Sequence, residues 1–67
     1  MTALTLDQRY DYRERAAQKS REANAAGMSY RQISDAYSVS VGSVWRWVHA
    51  IVLPSYSAAR IILGDVK

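Results

Sequence analysis

The sequence predicts an all-α fold, four helices in one small domain, with a first helix much longer than the rest. Three observations carry that reading. Thr5-Leu6-Asp7-Gln8 and Ser29-Tyr30-Arg31-Gln32 each place a hydroxyl three residues before a glutamine, the capping-box pattern that satisfies free amides at a helix start. Gly27, Pro54 and Gly64 stand where helices have to stop. Apolar residues recur every three to four positions, not every second one.

The first helix starts after Thr5 and runs to about residue 26, where Gly27 ends it. Leu6, Tyr10, Ala17 and Ser20 line up along it as a thin inward strip, interrupted by Arg9 and Arg13. Arginine stems can cross such a strip with their heads in water. The second helix spans roughly Tyr30–Tyr37, with Ile33, Ala36 and Tyr37 on one side. Ser38-Val39-Ser40 breaks the period, and Ser40 caps a third helix from Val41 to about Ala50. Beyond Pro54, Ser55 caps a fourth helix, about Tyr56–Leu63, closed by Gly64. Arg60-Ile61-Ile62-Leu63 also fits a short strand.

The whole chain, 67 residues, reads as one domain, with no repeat, linker or low-complexity tract. A domain of this size buries only about 60% of its unfolded surface. It has no cysteine, so helix packing or oligomerisation has to supply the stability that disulfides cannot. Nine Lys and Arg oppose six Asp and Glu, for a net charge of +3. Residues 7–22 hold five basic and four acidic side chains, whereas residues 28–60 carry Arg31, Arg46 and Arg60 against Asp35 alone. That sparse positive middle suits a polyanion partner. The N-terminus lacks the pattern of a signal peptide, and the longest strongly apolar stretch, Ala50–Leu53, is far too short to span a membrane. The expected location is the cytoplasm.

Catalysis is not expected. The single histidine has no cysteine partner and no Ser-His-acid grouping is readable. Asp7, Asp11 and Glu14 share a helix side, but basic residues are interspersed, which is the pattern of a solvated face. No glycine-rich phosphate loop is present. No metal, cofactor or small-molecule ligand is expected.

Two short helices joined by about three residues suggest a helix-turn-helix. Its requirements can be checked position by position. Ile33 points inward from the first helix of the pair, Ser34 is small where the helices cross, and Tyr37 anchors the end. Val39 is the inward residue of the turn. Val44 and Trp47, three apart, form the inner face of the second helix, with Val48 and Ile51 nearby. The stretch Ser43-Val44-Trp45-Arg46-Trp47 holds both tryptophans, and neighbours on a helix point about 100° apart. Trp47 is therefore core, and Arg46 faces out with Gly42, Ser43 and His49. Arg46 suits a bidentate contact to guanine or a phosphate, and Val41 suits a thymine methyl. Trp45 lies on the flank. Packing against the first or fourth helix is its expected role, with the DNA edge or a subunit contact as alternatives.

Residues 27–55, GMSYRQISDAYSVSVGSVWRWVHAIVLPS, resemble the lambda-repressor-like helix-turn-helix family, which includes phage Cro and repressor proteins. Gly27-Met28-Ser29, Ile33-Ser34, Tyr37-Ser38-Val39-Ser40, Val44, Trp47 and Pro54-Ser55 follow its pattern without a gap. Ser38 and Ala50 stand where that family favours glycine. The resemblance implies an all-α domain, and a Cro-type transcriptional regulator binding double-stranded operator DNA as a homodimer. It implies that Val41, Gly42, Ser43 and Arg46 occupy base-reading positions and that Tyr30 and His49 lie near phosphates; the full expected contact set adds Arg31, Ser40 and Trp45. Ile61, Ile62, Leu63 and Val66 are the expected dimer surface, with the first helix as rival. Two other readings are carried forward. One is an excisionase-type winged-helix protein, in which residues 55–63 form a wing hairpin. The other is a protein-binding adaptor or anti-repressor without DNA affinity, using the apolar flank of Trp45, Ile51 and Val52.

Overall fold

Four helices follow in the expected order: α1 (Leu6–Ala25), α2 (Tyr30–Tyr37), α3 (Val41–Val48) and α4 (Tyr56–Ile62). The computed structural model describes residues 5–64, and those residues contain no strand. Residues 55–63 are a serine-capped helix and its end, so they do not form the hairpin that a winged-helix reading needs.

Both capping boxes close in both directions. The Gln8 amide donates to Thr5 Oγ1 at 3.1 Å, and the Thr5 amide donates to Gln8 Oε1 at 2.9 Å. Ser29 and Gln32 repeat this at 3.1 and 2.8 Å. Ser40 and Ser55 cap α3 and α4 by accepting from the amides of Ser43 and Ala58, each at 3.2 Å. All four helices are followed by a residue in the left-handed region: Gly27 (φ 106°), Ser38 (55°), Ala50 (58°) and Gly64 (78°). At the first three exits the next amide reaches back six residues in all. Met28 donates to the Ala23 carbonyl, Val39 to Ser34 and Ile51 to Arg46, at 2.9–3.1 Å. This reversal at Ala50 ends α3 at Val48, two residues before the expected boundary.

α1 runs beside α4 and α3, and α2 packs across α3. Between them lies one core of Ala16, Ile33, Val44, Trp47, Ala59 and Ile62, with Tyr37 and Val39 half-buried against it. Ile33, Ser34, Val44 and Trp47 are therefore inside, as a helix-turn-helix requires. No described helix is long and apolar enough to cross a membrane.

Several expected inward residues are not inside. α1 buries Ala16, Ala17 and Ser20, but Leu6 is 83% exposed and Tyr10 also faces solvent. A 20-residue helix is about 30 Å long, while each eight-residue partner is about 12 Å long, so the first turns of α1 are left uncovered. Small side chains line the covered part and let the helices approach closely. The buried Ser20 hydroxyl is satisfied by the Ala16 carbonyl at 3.2 Å. Ala36 is exposed on the outer side of α2. Ile51 is exposed because the chain has left the helical path at Ala50. The expected dimer surface is also reduced. Ile62 is spent on the core, Leu63 is half-buried, Ile61 is exposed, and Val66 lies outside the described residues.

The intruding arginines of α1 hold the fold together. Arg13 Nε donates to the Pro54 carbonyl at 2.6 Å. Arg21 donates to the Trp47 carbonyl at 3.3 Å and to Gln18 Oε1 at 3.1 Å. The Trp47 carbonyl belongs to the last turn of α3, where the helix dipole favours a cation. Arg9 lies over the Tyr56 ring at 5.8 Å, and Tyr12 packs on the same ring at 5.3 Å. The spacing of Arg9, Arg13 and Arg21, with buried Ala17 between, is a repeat of four along one edge of α1. That repeat was the available sequence signal for these contacts.

Candidate nucleic-acid interface

α3 divides cleanly into two faces. Val44 and Trp47 are buried and Val48 is half-buried, whereas Val41, Gly42, Trp45, Arg46 and His49 are exposed. The exposed residues form two adjacent rows four apart, Val41–Trp45–His49 and Gly42–Arg46. Arg46 has no hydrogen-bond or ion-pair partner among the described residues. It bends back along the helix, so that a Cβ on Gly42 would lie 3.9 Å from its terminal nitrogen. No acidic residue occurs between Asp35 and Asp65, which leaves the α3 surface with only positive charge.

Gly42 is informative because nothing in the fold requires it. Its φ is not positive, and an added Cβ would make only that ordinary contact with Arg46. A glycine inside a helix costs roughly 0.5–1 kcal/mol relative to alanine. What it leaves is uncovered backbone on the outer side of α3.

Trp45 is exposed, and its ring partner is His49 of the same helix, not a side chain of α1 or α4. The two rings stack at 4.1 Å with 20° between planes. His49 Nδ1 is 2.9 Å from the Trp45 carbonyl, and the Tyr30 ring meets His49 edge-on at 6.1 Å. Tyr30 is half-buried and packed against the core, so α2 anchors this aromatic array. Ser40 and Ser43 join hydroxyls at 2.8 Å beside the helix start. Arg31 is exposed on α2 and touches none of these residues through a recorded hydrogen bond or ring contact. The structure thus joins Tyr30, Trp45 and His49 in one group, Gly42 and Arg46 in a second, and Ser40 and Ser43 in a third.

Residues 7–52, from the first turn of α1 to just past α3, match the family model of the homeodomain-like domain. The chain belongs to the homeodomain-like helix-turn-helix family. In homeodomain-like domains the last helix of the three-helix unit enters the major groove, and the last helix within the matched residues is α3. No curated protein and no solved structure matches the chain. The family match covers the helix-turn-helix and its supporting first helix, and ends before α4. It establishes a DNA-binding type of domain.

Proposed function

We propose that this protein is a sequence-specific transcriptional regulator of the Cro type, which binds operator DNA by laying α3 in the major groove. The observation that carries this reading is the exposed face of α3. A fully packed helix turns a free arginine, a dispensable glycine and an exposed tryptophan outward together. Arg46 is the base-reading cation, donating to guanine O6 and N7. Gly42 brings the helix close to the base edges, and Val41 lies at the entering end. Ser40, Ser43, Tyr30, Arg31 and His49 flank them, at positions suited to sugar and phosphate.

One copy reads only a few base pairs, so the acting form is a homodimer on a two-fold symmetric site. Two α3 helices then sit about 34–36 Å apart, one turn of DNA. The bacterial cytoplasm is its place of action. Exposed Ile51 and Val52 favour a second reading, a protein-binding adaptor that needs no DNA. Selection of bound duplexes from a random pool at moderate salt separates them. An enriched inverted repeat with half-site centres one helical turn apart is expected. No enrichment, with no binding at low salt, would move the assignment to the adaptor.

A further inference from the structure

Apart from the free guanidinium of Arg46, several outward polar groups of α3 are already engaged within the protein. The Ser40 and Ser43 hydroxyls bond each other at 2.8 Å, and Ser40 Oγ also accepts from the Ser43 amide. His49 commits Nδ1 to the Trp45 carbonyl at 2.9 Å. The surface that remains along the row of Val41, Trp45 and His49 is mainly apolar. The indole lies flat on the imidazole at 4.1 Å, and Tyr30 buttresses that imidazole from α2. An exposed indole adds little to the core, where Trp47 already serves.

A base-pair edge in the major groove offers one apolar group, the C5-methyl of thymine. Val41 and Trp45 are one helical turn apart, about 6 Å along the axis. Base pairs rise about 3.4 Å each, so the two side chains span two adjacent steps. Gly42 lies beside both and leaves room for the base edges to approach.

We propose that the Trp45–His49 stack, together with Val41, reads thymine by its 5-methyl group, beside the guanine contacted by Arg46. The inference rests on the DNA-reading role of α3. The site it selects therefore contains thymines one or two steps apart, flanking a guanine. Hydrogen bonding by the indole contributes nothing to the choice.

The test is to select from two random duplex pools in parallel, one with thymine and one with uracil at every such position, and to measure affinities by fluorescence anisotropy. In the thymine pool, one or two thymines beside an enriched guanine are expected. In the uracil pool those positions become degenerate while the guanine persists, and affinity falls about fourfold per methyl lost. Trp45→Phe keeps this difference between pools, because it keeps an apolar ring. Trp45→Ala shrinks it by about fourfold, leaving only the share contributed by Val41. Equal consensus and equal affinity in both pools would overturn methyl reading and leave DNA reading standing. Loss of the difference in Trp45→Phe as complete as in Trp45→Ala would overturn the claim that an apolar ring at this position is enough, because thymine and uracil carry the same hydrogen-bonding groups and differ only in the methyl. No enrichment in either pool would overturn DNA reading, and this inference with it.

Discussion

Ala50→Gly should stabilise this protein, although it removes a methyl group and adds freedom to the unfolded chain. Ala50 holds φ at 58° to reverse the chain after α3. For a residue with a Cβ, the left-handed conformation costs about 1–2 kcal/mol. Glycine avoids that cost, but its greater unfolded-state freedom takes back about 0.4–1 kcal/mol. The expected net gain is about 0.5–1 kcal/mol. Ala50 is exposed, so no packing is lost. For a domain of this size, 1 kcal/mol moves Tm by about 4–8 °C, so the gain is measurable by thermal or urea unfolding followed by circular dichroism. Ser38→Gly, at φ 55°, should behave the same way, and the two gains should add because they act at separate helix exits. Ala36→Gly is the control, at an exposed position within α2, and should destabilise by about 0.5–1 kcal/mol. The opposite signs exclude a general effect of glycine. If Ala50→Gly destabilised as much as Ala36→Gly, the left-handed exit of α3 would be wrong, and with it the boundary that places Ile51 in solvent.

Four further outcomes are expected. Trp47→Ala should cost about 3–5 kcal/mol and leave the domain largely unfolded by circular dichroism; a stable, folded variant would mean the faces of α3 are reversed. Arg13→Met should lose about 0.5–1.5 kcal/mol in urea unfolding, because it leaves the Pro54 carbonyl without the donor of a partly buried hydrogen bond. Arg46→Ala should weaken specific binding by about 1–3 kcal/mol in a titration of the selected duplex, and equal affinity of variant and parent at several salt concentrations would remove Arg46 from the site. Gly42→Ala should raise stability by up to about 1 kcal/mol and yet weaken DNA binding, and unfolding and anisotropy measured on one preparation would show both.

Most of the fold was legible because its signals are local. The capping boxes at Thr5 and Ser29 need only a hydroxyl and a glutamine three residues on, and both formed as read. The inner face of the helix-turn-helix was equally plain, since Ile33, Val44 and Trp47 follow from spacing alone. The first helix was read less well. Its inward side depends on which part of a long helix its short partners cover, and no local pattern states that. Leu6 and Tyr10 looked like core by type, yet Ala16, Ala17 and Ser20 are the covered residues. The exits at Ser38 and Ala50 lacked the expected glycine, and neighbouring backbone bonds held the left-handed conformation without it. On α3, the outward positions of Gly42, Arg46 and His49 were readable from helical geometry. The stacking of Trp45 on His49 was not, because two exposed rings four residues apart have several rotamers available. Arg13 and Arg21 looked like solvent-borne charges until their carbonyl partners, over 25 residues away, came into view.

The central claim is that the exposed face of α3 is the surface that meets DNA. It is tested most directly by an NMR titration of the isotope-labelled protein with its selected duplex. The largest amide shift changes should fall on residues 41–49, with smaller changes at Tyr30 and Arg31. Changes centred on Ile51 and Val52 or on α1, with α3 undisturbed, would contradict the account.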